Sequence, residues 1–326
     1  MFSIEICAGA GGQALGLEQA GFKHVALVEI DDSACATLRK NRPEWNVIKE
    51  DVKFFSTKKY ENIDLLAGGV PCPPFSVAGK QLGNEDDRDL FPEAVRLIKE
   101  CKPKAVMIEN VRGLFEPKFD TYRTQIKRQL NGLGYKCFWE IVQANHYGVP
   151  QKRPREILVA LKKPYSKYFV WPLGVVAPPP TVGQILREEM KSNGWEGADA
   201  WAEHASGIAP TLVGGSKKHG GADLGPTRAK AAWELLGVDG KGLADNPPTS
   251  GFTGNPRLTV KMAALVQGFP HDWEFVGKKT PAYRQVGNAF PPPVAQAIGT
   301  AISNALIAGY NQINQEVEIN EEARRA

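Results

Sequence analysis

Residues 68–76 read Gly-Gly-Val-Pro-Cys-Pro-Pro-Phe-Ser, which stands one thiol, Cys72, between prolines at the end of an apolar run. A thiol becomes a strong nucleophile as its thiolate, and a rigid turn beside polar groups would aim it at an electrophilic carbon. Taken alone, a lone cysteine is more often a small buried hydrophobe. Glu109, in Glu109-Asn110-Val111, closes another apolar run at 105–108, on what would be the same edge of a sheet. A carboxyl raised by burial there could donate a proton or a hydrogen bond. Gln151-Lys152-Arg153-Pro154-Arg155 precedes a further run. Positions i and i+2 of a strand share a face, so Arg153 and Arg155 could point together into a site, suited to carboxylate, phosphate or base-edge contact.

A second constellation lies upstream. Gly9-Ala10-Gly11-Gly12-Gln13-Ala14 follows the first apolar run and is close to a G-x-G-x-x-G/A turn opening a helix. Such glycines let a ligand approach the backbone, and the helix N-terminus favours a negative group. Glu29 ends the next run, at the spacing from which an acidic residue grips ribose hydroxyls, and Asp51 follows the short run 46–49, where it could accept from an adenine amino group. These residues alone fit NAD and S-adenosylmethionine equally.

The elements that must carry these groups alternate. β-rich runs at 3–7, 24–29, 64–68, 105–109, 135–143 and 156–161 are separated by helical patterns at 13–20, 31–41, 91–100 and 119–133. In the last, Ile126, Leu130 and Leu133 share one face. The alternation predicts an α/β, doubly wound, mainly parallel sheet with helices on both sides. From about Pro178 the sequence turns rich in Pro, Gly and Trp, which predicts a second, smaller, irregular domain. Regular patterning returns at 257–269 and from Val294, and residues after Asn311 read as a frayed polar end. The domain division expected is 1–175 with 281–326, and 176–280.

The 326 residues suffice for a full core without staples. Five cysteines without a C-x-x-C pair support neither a disulfide framework nor a zinc knuckle and suit free thiols in a reducing cytoplasm. No basic region precedes an apolar run at the N-terminus, and Gln296, Ser303 and Asn304 interrupt the most apolar late segment, so neither export nor a membrane span is expected. A formal charge of +4 permits nucleic-acid binding without requiring it.

Taken in order, the glycine turn, Pro71-Cys72-Pro73-Pro74-Phe75-Ser76, Glu109-Asn110-Val111, Gln151 to Arg155, Arg257-Leu258-Thr259 through Gln267-Gly268-Phe269-Pro270, and Gln285-Val286-Gly287-Asn288-Ala289 strongly resemble the DNA (cytosine-5) methyltransferases of compact bacterial type. The resemblance covers about residues 1–162 and 256–309. It implies a Rossmann-like methyltransferase that takes a methyl group from S-adenosylmethionine to C5 of a flipped-out cytosine in double-stranded DNA. Cys72 would add at C6, Glu109 would serve N3 and the amine, and Arg155, supported by Arg153, would hold the O2 side. The cofactor would lie against Cys7, Ala8, Gly9, Gly11, Gly12, Glu29, Ile30, Asp51, Val52, Pro71, Leu90 and Asn288. DNA contacts would come from Ser76, Lys80, Gln81 and Arg88 in a closing loop over 77–89, and from Lys217, Lys218, His219 and Arg228 in the recognition domain. No metal is implied.

The resemblance further implies a cytoplasmic, nucleoid-associated monomer, forming the modification half of a restriction-modification system whose endonuclease acts separately. Departures are Glu5 for the usual Asp, Cys7 where an aromatic often stacks on adenine, and Ile30 where some members carry an aromatic. Phe22 or another aromatic would have to substitute for the missing ring. A tRNA cytosine-5 methyltransferase of the same family and a catalytically silent DNA-binding protein are the rival readings.

Overall fold

A computed structural model describes residues 1–70, 89–175, 177–215 and 221–325. Seven strands, β1 Phe2–Ile6, β2 Lys23–Glu29, β3 Val47–Lys49, β4 Leu65–Gly69, β5 Ala105–Val111, β6 Tyr135–Gln143 and β7 Pro154–Lys162, form one sheet in the order β3-β2-β1-β4-β5-β7-β6. The first five run parallel, and β7 lies antiparallel to both β5 and β6. The helices are α1 Gly12–Gln19, α2 Asp32–Asn41, α3 Phe91–Cys101, α4 Asp120–Gly132, α5 Lys163–Ser166, α6 Val182–Lys191, α7 Ala198–His204, α8 Thr227–Glu234, α9 Val260–Val266, α10 Lys279–Asn288 and α11 Pro292–Arg325.

The central strands are apolar on both faces because helices cover both. Ile4, Ile6, Leu66, Val106 and Ile108 pack with Ala94, Leu97 and Ile98 of α3 and Ile126 and Leu130 of α4. On the other side Leu65, Ala67, Met107 and Val159 pack with Leu17 of α1 and Val294, Ile298 and Ile302 of α11. There α1 and α11 approach so closely that a Cβ on Gly16 would stand 2.3 Å from the Pro292 carbonyl oxygen, a separation only glycine permits. The sheet order reverses between β1 and β4, so their carboxyl ends open a crevice of the kind in which α/β proteins bind ligands.

The stretch that begins at about Pro178 is less irregular than its composition predicts. It holds α6, α7 and α8, and α6 opens with a capping box between Thr181 and Gln184. Its core of Trp195, Trp201 and Trp233 is continuous with Leu15 of α1, Leu38 of α2 and Trp273. The frayed end expected after Asn311 is instead helix through Arg325. That stretch contains no Gly or Pro, is rich in Gln and Glu, and pairs Gln312 with Glu316 one turn on.

One core residue runs against burial. Glu156 of β7 stands opposite Asn110 of β5 and Ile141 of β6, is 0% exposed, and neither of its oxygens has a hydrogen bond of ordinary geometry. Burial pushes its carboxyl up to about 8, and Arg123 and Trp139 offset only part of that. The folded value exceeds the unfolded value of about 4.3, so ionisation opposes folding. The cost is absent below about pH 4, grows as pH rises towards the folded value, and then levels at roughly 3–5 kcal/mol. Glu156→Gln is therefore expected to match the parent at pH 4 and to exceed it by a few kcal/mol at pH 8. Urea midpoints at the two pH values check this; an equal gain at both would refute it.

Candidate active site

The strand ends shape a cavity of ≈ 790 Å³, within the range of small-molecule sites. Its wall takes Glu5 and residues 7–10 from the end of β1, Glu29, Ile30 and Asp31 from β2, residues 50–53 beyond β3, Gly69 from β4 and Glu109 from β5. The turn after β1 is built for close approach. Cys7 and Gly9 have φ of 52° and 55°, and nothing lies within 4 Å of where a Gly9 Cβ would stand, so the backbone faces open space. Gly11 serves packing instead: it does not line the cavity, and a Cβ there would meet Leu38 at 2.7 Å and Trp273 at 2.9 Å. Gly12 lines the cavity and abuts the Phe290 carbonyl.

Glu29 is fixed by backbone. One oxygen accepts from Gly9 N at 2.7 Å, and the other from Ile30 N and Asp31 N at 2.8 Å each. A carboxylate offers about four lone-pair sites, so acceptor capacity remains for a ligand. Asp51 accepts from Lys53 N at 3.0 Å and also faces the cavity. Ile30, 61% exposed, the buried Val52 and the half-buried Leu90 supply apolar wall. Phe22 does not replace the missing ring at Cys7. It is 2% exposed and packed among Leu17, Leu65 and Ala295, because it follows α1 on the side away from the cavity. The Cys7 thiol is held protonated, first by burial and then by Glu29, Asp51 and Glu5, which leaves it unreactive.

Glu109 joins this cavity to a second set of groups. Its Oε1 pairs with Arg155 Nε at 2.8 Å, and its Oε2 lies 3.3 Å from where a Gly69 Cβ would stand. Burial raises the carboxyl, while Arg155 and then Arg153 pull it back. Arg155 itself stays charged, since a guanidinium does not lose its proton in proteins. Beside it the chain passes through Val70, whose carbonyl accepts from Asn110 Nδ2 at 3.4 Å. Cys72 and Pro71 lie outside the described residues, as do Ser76, Lys80, Gln81, Arg88, residues 77–88 of the loop expected over 77–89, Lys217, Lys218 and His219.

Arg153 does not point into the site with Arg155. It is fully buried and donates to the carbonyls of Leu212 at 2.7 Å, Gly287 at 2.8 Å and Ala289 at 2.9 Å. Gln151 extends this lock, bonding Gln267 Oε1 at 2.7 Å and accepting from Leu212 N at 2.9 Å. Three of the sequence motifs thus meet in one buried polar network, and Arg153 is a positioning residue. Arg153→Met would leave the buried Leu212 and Gly287 carbonyls unpaired, the Ala289 carbonyl keeping Gln267 Nε2, with an expected loss of about 3 kcal/mol. Arg153→Lys should rescue little, because an ammonium cannot reproduce the planar fork. A urea midpoint within error of the parent for Arg153→Met would contradict this.

Asn288 lines the cavity from α10 and donates to the Gly215 carbonyl at 3.1 Å. Arg228 is exposed on α8, whereas Lys230 on the same helix is paired with Asp223 at 2.9 Å. The cavity also uses residues that were not assigned to it from the sequence: Glu5, Gln13, Lys53, Arg284, Gln285 and Phe290 among them. Glu5 and Gln13 flank the glycine turn and could have been read from it. Arg284 and Phe290 reach the cavity only because α10 and the start of α11 return to the sheet. Among the described residues no group of three or more His, Cys, Asp and Glu could hold a metal ion, and no helix is long and apolar enough to cross a membrane.

Residues 1–304 match the family model of the C-5 cytosine-specific DNA methylases. The chain is 57% identical over 306 residues to the type II methyltransferase M.NgoMIV of Neisseria gonorrhoeae, covering 93% of this chain and 97% of that protein. It is 56% identical over 309 residues to M.NaeI of Lentzea aerocolonigenes, covering 93% of this chain and 75% of that protein. In fold it is similar to the Entamoeba histolytica methyltransferase EhMeth, with a TM-score of 0.66 at 16% identity over 94% of this chain and 98% of that one. A mutant Spodoptera frugiperda DNMT2 gives 0.64 at 18% identity over 92% and 99%.

Proposed function

The chain belongs to the C-5 cytosine-specific DNA methylase family, and on that premise we propose that it methylates C5 of a flipped-out cytosine within one short duplex sequence, using S-adenosylmethionine and a transient Cys72–C6 bond. The observation that carries this is the Glu109–Arg155 pair at the edge of the ligand cavity, with Glu109 lining it and the chain running from Val70 towards Cys72.

The cavity suits the cofactor on its own features. The open backbone at Gly9, the fixed carboxylate of Glu29 and the unpartnered polar atoms of Glu5 and Gln13 match an adenosine joined to a charged amino-acid end. Glu29 would take the ribose hydroxyls, Asp51 the adenine amine, and Ile30, Val52 and Leu90 the ring faces. When bound, the cofactor supplies an electrophilic methyl group on a sulfonium.

The remaining chemistry belongs to the protein. Cytosine C5 is a poor nucleophile, so the Cys72 thiolate adds at C6 and pushes electron density towards C5. Glu109 in its acid form donates to N3 and so accommodates the charge that develops there. Arg155 holds Glu109 in place and presents donors to the O2 side of the base. After C5 gains the methyl group, N3 returns its proton to Glu109, the C5 proton passes to solvent, the electron pair of the C5–H bond restores the ring double bond, and the C6–S bond breaks to release the Cys72 thiolate. The target base must leave the stack, at a cost of a few kcal/mol.

We assign residues 176–280 to target recognition and 1–175 with 281–326 to catalysis. Arg153 and Asn288 grip the 212–215 segment of the former from the latter. Arg228, Lys217, Lys218 and His219 would face DNA. The protein would act as a cytoplasmic monomer, the modification half of a restriction-modification system. Incubating it with S-adenosylmethionine and mixed-sequence duplex DNA, then mapping 5-methylcytosine base by base, tests the proposal. Methylation confined to one short motif is expected. Methylation of tRNA alone would overturn the DNA assignment, and none on either would overturn the catalytic one.

A further inference from the structure

Thr37 stands in the middle of α2, fully buried, and does not line the cavity. A threonine inside a helix commonly turns its hydroxyl back to the carbonyl one turn earlier. Here the hydroxyl leaves the helix. It donates to Gln285 Oε1 of α10 at 2.6 Å and accepts from Val276 N at 2.9 Å, while Gln285 Nε2 donates to the Val276 carbonyl at 2.8 Å. The three residues close a ring of hydrogen bonds between segments 239 and 248 positions apart in the chain.

The pattern along α2 shows what is particular to Thr37. Ser33, Thr37 and Asn41 fall at i, i+4 and i+8, so they face the 274–277 segment on successive turns. Ser33 Oγ lies 3.7 Å from where a Gly277 Cβ would stand, and Asn41 exchanges two hydrogen bonds of 2.8 Å with the Glu274 backbone. Those contacts dock the helix on that segment and go no further. Thr37 is the one of the three that bonds to α10.

α10 in turn is a wall of the ligand cavity. Pro281, Arg284, Gln285 and Asn288, spaced i, i+3, i+4 and i+7, present one stripe to it. α2 contributes to the same cavity at its start, through Ile30, Asp31 and Ala34, the last of these one turn ahead of Thr37. A single hydroxyl behind the ligand therefore ties two parts of the wall together. Beyond this ring the Gln285 side chain makes only a long bond of 3.4 Å to the Pro281 carbonyl of its own helix.

We propose that Thr37 is a positioning residue for the methyl donor: its hydroxyl fixes the spacing of α2 and α10 through Gln285, and thereby the affinity of the cavity, without touching the ligand. The inference rests on the cofactor reading above. Removing the hydroxyl leaves Gln285 Oε1 and the Val276 N–H without their partner, a loss larger than the net worth of the bond itself. The two walls then relax apart. The effect falls on the bound ligand in ground state and transition state alike, so KM rises while kcat holds.

Thr37→Val keeps the shape and removes the hydroxyl. By titration calorimetry on the full chain it should weaken S-adenosylhomocysteine about tenfold, and it should raise KM for S-adenosylmethionine by a similar factor with kcat unchanged within about twofold. Thr37→Ser should restore both. Gln285→Leu should weaken the ligand comparably, and the double variant no further, because both changes break the same ring. Asn41→Ala reports a merely structural effect: it should lower the urea midpoint and leave affinity at the parental value. Parental affinity in Thr37→Val would overturn the inference, as would full additivity of Thr37→Val with Gln285→Leu or an equal loss of affinity in Asn41→Ala. A parent chain that binds neither S-adenosylmethionine nor S-adenosylhomocysteine would overturn the cofactor reading, and this inference with it.

Discussion

Methyl transfer by the Cys72→Ala protein is expected to fall by on the order of 10⁴-fold or more, the scale on which loss of a covalent nucleophile is felt. The other four cysteines do not compete for the role. Burial pushes Cys35, Cys101 and Cys137 up to about 11 and raises Cys7 further, so each stays a thiol near neutral pH. A thiol so held is a poor nucleophile. Duplex DNA carrying 5-fluorocytosine separates the covalent route from any other. Fluorine at C5 cannot leave as a proton does, so the Cys72–C6 bond persists and the complex survives denaturing electrophoresis. The shifted band should form with the parent and with Cys7→Ser, and not with Cys72→Ala. A band retained by Cys72→Ala would place the nucleophile elsewhere.

Glu109→Gln is expected to lower kcat by ~10²–10⁴-fold, the usual worth of a positioned general acid, with S-adenosylhomocysteine affinity little changed. The variant keeps the size and a hydrogen-bond donor but cannot deliver a proton to N3. Its pH profile distinguishes this role from a structural one. Burial raises Glu109 above the ordinary carboxyl range, which extends its acid form upward in pH. The parent rate should therefore rise as Cys72 ionises and fall again as Glu109 loses its proton. The falling limb should be missing from Glu109→Gln, which does not titrate. Persistence of that limb would assign it to another group.

Arg155 and Arg153 show how much of such a site sequence can express. Their spacing suggested a shared face and a shared task. In the fold Arg155 pairs with Glu109 at 2.8 Å, while Arg153 is taken up by the carbonyls of Leu212, Gly287 and Ala289. Those carbonyls lie far along the chain, and nothing local to Gln151-Lys152-Arg153-Pro154-Arg155 specifies them. Phe22 shows the same limit. It is an aromatic close in sequence to the glycine turn, yet it faces the α1–α11 side of the sheet.

The alternation of strands and helices, the glycine turn after β1, the acidic residues at the ends of β2 and β3, and the motifs around Cys72 and Glu109 were legible in the residues alone. Local rules act on them: side-chain period, backbone freedom at glycine, and the placement of ligand groups at strand carboxyl ends. The tertiary structure alone decided that α10 closes the cavity, that Gly11 packs against Trp273 instead of a ligand, and that α11 runs on to Arg325. It also decided that one oxygen of Glu5, both amide atoms of Gln13 and both oxygens of Glu156 are buried without a hydrogen bond of ordinary geometry. Each of these depends on which distant segment lies opposite, a property of packing between elements that no periodicity within one element encodes.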